Sequence, residues 1–424
     1  MEKTKNKIDT NFQKVSKAKT IYEKIVMSML SRFTKGELHL ELHNGESLII
    51  GHGNGLKVDI KINNSNFYKK CVLYGDIGFG ESFCDGDWES SNLTNVVRWI
   101  IQNVETSGVM SGSKVKNIAT NILGQVNRVS HIFNKNSKKG SQSNISYHYD
   151  LSNDFYELML DETMSYSCGI FKDQETSLHE AQVNKLSHLC NDLDIHSGDH
   201  ILEIGCGWGG FAAYAVQHFD CKVTGITISK EQYLFAKNKV EELGLQDRIE
   251  ILLTDYRDLE GTYDKIVSVE MIEAVGHEFL PEYFKTIDKL LKKEGVAVIQ
   301  AITSPDSRYH QFRKGVDFIQ KHIFPGSLLP SVTSMTEACS KDTELQIINL
   351  RDIGLHYAKT LEHWRVTCEE EKEKIISLGM DEKFLRKWNY YLCYCEAAFM
   401  ERNISDIQVT FIKPNNTSYK IDKI

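Results

Sequence analysis

Ile201-Leu-Glu-Ile204 runs directly into Gly205-Cys-Gly207-Trp-Gly209-Gly210, with a helical stretch behind it over 210–218. A short apolar run ending in glycines reads as a strand that turns sharply, and glycines at the turn open the backbone to a ligand because no Cβ intervenes. The unit then repeats. Val223-Thr-Gly-Ile-Thr-Ile228 reads as an apolar strand and 230–243 as a helix. Strands at 248–252 and Lys265-Ile-Val-Ser-Val269 follow, then a helix at 280–292 and the strand Val296-Ala-Val-Ile-Gln300. Parallel strands need crossover connections, so this alternation predicts a mostly parallel sheet with helices on both faces. From about 145 onward the chain is an α/β domain.

The first hundred residues have a different grain. Ile21, Ile25, Met29 and Phe33 recur at helical spacing and predict an amphipathic helix over 20–33. Glu37–Leu42 and Leu56–Ile62 alternate polar and apolar residues with the two-residue period of half-buried strands. A helix near 64–75, a glycine-rich turn from Gly75 to Gly80 and a helix near 92–105 complete a small α+β domain, placed at 1–110. Residues 111–144 are rich in Ser, Gly, Asn and Lys and read as a flexible linker with a short helix near 114–124. Within it Lys114, Lys116, Arg128, Lys135, Lys138 and Lys139 occur without one acidic residue. That run suits either a solvated linker or contact with an anionic surface such as lipid head groups. The α/β domain is placed at 145–413, with a polar tail at 414–424.

A net charge of −8 argues against general nucleic-acid binding, which needs a basic surface. No apolar run approaches the roughly 18–20 residues that span a bilayer, and no apolar segment of a secretion signal follows the polar start. A cytoplasmic location is expected, with the ten cysteines as reduced thiols. The close pair Cys393 and Cys395 lacks a companion pair or a histidine at metal-ligand spacing; it reads as core packing, and no metal is expected.

The glycine loop alone also fits a dinucleotide. One detail favours S-adenosylmethionine. The spacing reads G-x-G-x-G, but Gly210 also completes a G-x-G-x-x-G run, so spacing alone does not decide. Glu203 stands two positions before Gly205, where a carboxylate meets a cationic ammonium, and this ligand has no phosphate to neutralise. Thr227, Ser229 and Gln232 follow the second strand, where ribose hydroxyls would lie; Ser229 and Gln232 could equally cap the next helix. Asp255 and Tyr256 follow the third strand, where they would bracket an adenine.

Tyr147-His-Tyr-Asp-Leu-Ser-Asn-Asp-Phe-Tyr156, Met164-Ser-Tyr-Ser-Cys168-Gly, Leu202–Gly210, Thr224–Gln232, Asp255–Asp258, Val269-Glu-Met-Ile-Glu273-Ala-Val-Gly276 and Ile323–Pro330 resemble, in order, the cyclopropane-fatty-acyl-phospholipid synthase family. Asp59–Ile62 and Gly80–Glu89 resemble its N-terminal lipid-associated domain. The resemblance implies a Rossmann-like class I methyltransferase domain preceded by a small α+β domain. It implies transfer of a one-carbon unit from S-adenosylmethionine to the cis double bond of an unsaturated acyl chain in a membrane phospholipid. A carbocation forms, then a proton is lost and a cyclopropane ring closes. It also implies a bicarbonate ion held by Cys168, Glu273, Gln300, Ile302 and Tyr357, and Tyr166 and Ser167 beside the cofactor. A homodimer peripherally attached to the inner face of the membrane is expected on the same ground.

Two positions depart from the family pattern: Ala274 and Gln300 stand where many members carry histidine. Gln300 keeps an amide donor but cannot titrate. Arg308–Phe324 mixes cations and aromatics, as either a lipid–water interface or an ordinary helix cover would. Other readings are a methyl-branched lipid product, methylation of a small soluble amine, and a non-catalytic lipid-binding protein.

Overall fold

The computed structural model describes residues 20–104 and 152–419. The chain divides into two compact units, 1–123 and 124–424. The linker at 111–144, its helix near 114–124, its lysines and the segment Tyr147–Leu151 lie outside the described residues.

In the first unit, helix α1 (Ile21–Leu30) is capped by the Thr20 hydroxyl, which accepts from the Glu23 amide. Its buried face is Val26, Met27 and Leu30, continued by Phe33, whereas Ile21 and Ile25 are 68% and 46% exposed. The stripe read from the spacing Ile21–Ile25–Met29 is therefore the outer one. Strands β1 (Glu37–Glu41), β2 (Ser47–Gly51), β3 (Lys57–Ile62) and β4 (Trp88–Glu89) form a sheet in the order β2-β1-β3-β4. Helix α2 spans Asn66–Cys84 and breaks at Gly75, whose φ of 62° and ψ of −130° are far from helical. The break falls where a turn was expected, but 76–84 is helix and not loop. Trp88 fixes that second arm, donating from its indole to the Phe79 carbonyl and the Ser82 hydroxyl. Helix α3 (Leu93–Val104) ties back through Asn103, which accepts from the amides of Thr34 and Lys35.

The second unit is built on seven strands: β5 (His200–Ile204), β6 (Lys222–Thr227), β7 (Ile249–Leu253), β8 (Tyr263–Val269), β9 (Leu291–Thr303), β10 (Gln346–Asp352) and β11 (Ser405–Ile412). Their order is β10-β11-β9-β8-β5-β6-β7. The five strands β5–β9 are parallel, and β11 inserts antiparallel between β9 and β10. This is the Rossmann-like α/β sheet expected from the alternation. Side chains alternate between faces: Ile201, Val223 and Val267 pack one way, Leu202, Ile226 and Ile266 the other. The first face is covered by α4 (Leu178–Leu193), α5 (Gly210–His218) and α6 (Lys230–Glu242), the second by α7 (Leu280–Leu290) and α8 (Val332–Asp342). Apolar strands covered on both faces explain why each parallel strand reads as an unbroken apolar run.

Strands β10 and β11 escaped the sequence reading. In β11, Asp406, Gln408 and Thr410 alternate with apolar residues as on a solvated strand, yet all three are at most 1% exposed. The helices α9 (Gly354–Glu370) and α10 (Glu382–Met400) pack on each other and bring aromatic side chains over the sheet edge.

Candidate active site

From β5 the chain builds outward through β6 and β7, then crosses back to place β8 on the other side of β5. The loops behind neighbouring strands diverge at such a reversal and leave a crevice at the carboxyl ends. A cavity of about 340 Å³ occupies it.

Its floor is the glycine loop. Gly205, Gly207 and Gly209 hold φ of 83°, 52° and 82°, which side chains with a Cβ rarely adopt. A Cβ on Gly207 would enter open space, so a ligand can lie against the bare backbone there. Glu203, at the end of β5, lines the cavity and is 4% exposed, and its Oε2 has no hydrogen-bond partner. Burial pushes its carboxyl up to about 8, against the pull of the Lys185 ammonium and the Ala212 amide. An orphaned buried carboxylate oxygen beside bare backbone fits the ammonium of S-adenosylmethionine. Thr227 and Gln232 also line the cavity, with the Thr227 hydroxyl donating to Gln232 Oε1 at 2.9 Å. Ser229 does not; its hydroxyl caps α6 by accepting from the Gln232 amide, so here the capping reading holds. Asp255 lines the cavity, but both its oxygens accept from Arg257, at 2.8 and 2.7 Å. Tyr256 lines it too, buried edge-on to Tyr283.

Beside this cradle, at the end of the neighbouring strand β8, stands a cluster of carboxylates. Glu273 accepts from the Ile302 amide at 2.5 Å, and burial together with the neighbouring Glu270 pushes it up to about 8. Glu270, one residue beyond β8, also lines the cavity. It accepts from the Cys168 amide and the Gln300 side-chain amide, both at 2.8 Å, and from the Tyr357 hydroxyl at 2.6 Å. Behind them lies Asp406, fully buried and 3.2 Å from Gln300 Nε2. Burial and the adjoining charges of Glu270 and Glu273 push Asp406 far up, so the buried pair keeps a proton on Asp406. Burial raises Glu270 as well, opposed by its three donors and the Lys185 ammonium, which favour the ionised form.

Of the five residues expected to hold bicarbonate, Glu273, Ile302 and Tyr357 line the cavity; Cys168 and Gln300 do not. Gln300 is wholly buried and its amide donates to Glu270, Asp406 and the Cys168 carbonyl. The Cys168 and Ile302 amides and the Tyr357 hydroxyl, the donors that a separate ion would need, each donate to a carboxylate of the chain. This donor set does not fit a bicarbonate ion, which corrects that expectation.

Tyr166 and Ser167 line the cavity as expected, with the Tyr166 hydroxyl 2.8 Å from that of Tyr391 and the Ser167 hydroxyl accepting from Lys185 at 3.0 Å. The sequence reading missed Glu270, Lys185 and the aromatic ceiling of Phe324, Tyr391 and Phe399. Glu270 lies inside the Val269–Gly276 motif, where nothing in the local pattern sets it apart as a site residue. Lys185 sits mid-helix, where a lysine ordinarily faces water. In the Arg308–Phe324 segment Tyr309 and Phe318 are buried, Arg308, His310 and Lys314 are exposed, and Phe312 and Arg313 are half-buried. Among the described residues no helix is long and apolar enough to cross a membrane.

Residues 136–409 match the mycolic acid cyclopropane synthetase family. The chain is 38% identical to the tuberculostearic acid methyltransferase UfaA1 of Mycobacterium tuberculosis, over 80% of this chain and 79% of that one. It is 35% identical to the cyclopropane-fatty-acyl-phospholipid synthase of Escherichia coli, over 83% and 87% of the two chains. Its fold superposes on the mycolic acid cyclopropane synthase CmaA1 complexed with SAH and CTAB, with a TM-score of 0.59 and 30% identity over 64% of this chain and 98% of that one. The chain belongs to the mycolic acid cyclopropane synthetase family of S-adenosylmethionine-dependent methyltransferases.

Proposed function

We propose that this family member transfers a one-carbon unit from S-adenosylmethionine to the cis double bond of an unsaturated acyl chain of a membrane phospholipid. One observation carries the reading. One cavity is lined both by the cradle residues around Glu203 and by the apolar side chains of Phe312, Ile319, Phe324, Leu329, Leu361 and Phe399, together with Glu270 and Glu273. An acyl chain suits that apolar lining, and a soluble amine would leave it unfilled.

S-adenosylmethionine supplies a methyl group made electrophilic by its sulfonium. The alkene π pair forms the new C–C bond as the C–S bond breaks, leaving S-adenosylhomocysteine and a carbocation on the adjacent carbon. Loss of a proton from the transferred methyl then closes the ring. The chain's residues hold both partners in line and exclude water, because an alkene is a poor nucleophile and a cation in water is lost. Tyr391, and Tyr357 stacked on Phe399 at 4.4 Å, face the cation with electron-rich rings. The N-terminal unit, taken as residues 1–110, and the basic segment 111–144 bring the enzyme, as a homodimer, to the membrane surface.

The purified protein, methyl-labelled S-adenosylmethionine and cis-monounsaturated phospholipid vesicles test the reading together. Labelled ring protons at high field in the extracted lipid are expected. Label in a methyl branch or an exocyclic methylene would keep the substrate class and change the product, an outcome favoured by the similarity to a tuberculostearic acid methyltransferase. Cofactor binding without any label in lipid would overturn the proposal in favour of a soluble acceptor.

A further inference from the structure

We propose that the Glu270 carboxylate is the built-in base of this site and takes the proton from the transferred methyl, so that turnover needs no dissolved anion; this rests on the lipid reading above. Four observations converge on it.

The first is position. Glu270 lines the same cavity as the Glu203 cradle and the apolar side chains, and three donors meet its two oxygens: the Cys168 amide, the Gln300 amide and the Tyr357 hydroxyl. A free anion would compete for the same donors and meet a like charge. The second is backbone. Glu270 holds φ of 49°, a left-handed conformation that glycine adopts without strain and other residues adopt at a cost. Glycine would suit that backbone better, and only the side chain makes the contacts described, so the carboxylate accounts for the choice.

The third is the orientation of Gln300, which a chain of amides settles. Arg351 has donors only, and its Nη1 donates to Gln408 Oε1 at 3.0 Å. Gln408 Nε2 is thereby turned to Gln300 Oε1, at 3.0 Å, and Gln300 can present only N–H to Glu270. Arg351 is itself held by Asp192 at 2.8 Å. A neutral amide that never titrates suits a base that stays bound, whereas a histidine would add a second group able to take the proton. The fourth is charge. Burial favours the protonated forms of Asp406 and Glu273, and three donors meet Glu270, so the charge of the cluster rests on Glu270, with Lys185 lining the same cavity.

The step balances within the protein and its two substrates. A methyl C–H bond of the cation breaks, and its electron pair becomes the third ring bond. The proton adds to Glu270, which goes from carboxylate to carboxylic acid and returns the proton to solvent after the product leaves. No oxidant or reductant is needed.

Two variants and two readouts test this. Glu270→Gln keeps the volume and removes the charge; Glu270→Gly relaxes the backbone and empties the donors. Turnover is measured in buffer stripped of carbon dioxide, with and without added bicarbonate, and binding of carbon-13 bicarbonate is followed by NMR with S-adenosylhomocysteine present. The wild type should turn over equally in both buffers and show no bound bicarbonate. Glu270→Gln should lose about 100-fold in turnover without rescue, the scale of a missing general base. Glu270→Gly should fall as far, recover about tenfold or more with bicarbonate, and show a bound resonance. Bicarbonate bound to the wild type, wild-type turnover that collapses without it, or full turnover by Glu270→Gln would each overturn the assignment. A wild type that labels no lipid at all would sink the lipid reading instead, while the NMR titration would still decide who occupies the donors.

Discussion

The two walls of one cavity differ in how they are made. The cradle is a single run, Glu203 to Gly210, in which one strand end and one helix start place every group through backbone geometry. The carboxylate wall gathers Cys168 from a loop, Glu270 and Glu273 from beyond β8, Gln300 and Ile302 from β9, Tyr357 from α9 and Asp406 from β11. The cradle can tolerate a change in one side chain, because much of its contact is main chain. On the wall, the Cys168, Gln300 and Tyr357 donors converge on Glu270, so removing one alters the charge at the centre. A local site is robust and a convergent one is coupled.

That contrast can be broken by experiment. Beyond Glu270 itself, the largest effect is expected from Tyr357→Phe, which deletes the 2.6 Å donor to Glu270. Turnover should fall about 30- to 100-fold, because a less well oriented base is a weaker one, while the Kd for S-adenosylhomocysteine stays unchanged in calorimetry. A matching loss of cofactor affinity would show that the walls are not separable. Glu203→Gln should do the reverse, weakening cofactor binding about tenfold with a smaller effect on saturated turnover, since it removes one charged hydrogen bond.

The pH dependence sharpens the point. Free Glu203 is held up to about 8 by burial, so near neutrality it is mostly protonated. A cation bound beside it favours the carboxylate, so binding S-adenosylmethionine should release a proton at pH 7, and affinity should rise with pH and level off above about 8. Calorimetry in buffers of different ionisation enthalpy measures that proton directly. In Glu203→Gln the release should vanish; an undiminished release would place the titrating group elsewhere. The smallest effect belongs to Ser229→Ala. The hydroxyl caps α6 and faces no cavity, so the substitution should cost about 1 kcal/mol of stability by thermal unfolding and leave cofactor affinity alone.

Legibility in the sequence follows the same division. The α/β alternation was readable because parallel strands buried on both faces are apolar throughout, and the cradle was readable because its glycines and Glu203 are neighbours in the chain. Residues 354–400 gave no site signal beyond Tyr357. Nothing in the sequence singles out Tyr391 and Phe399, which line the cavity because α10 carries them there. The face of α1 was misassigned because two apolar stripes fit one helical period, and only packing selects between them.

Chain order and residue type were enough for the five parallel strands, their helical layers and the glycine loop with Glu203, since those depend on periodicity and on backbone freedom over a few consecutive residues. The tertiary structure alone decided that Glu270 fills the donors of Cys168, Gln300 and Tyr357, that Asp406 and Gln408 are interior, and that Ser229 is a cap. Charge, burial and hydrogen-bond direction at these positions come from groups as far apart in sequence as Cys168 and Asp406, and no local pattern encodes which of them will meet.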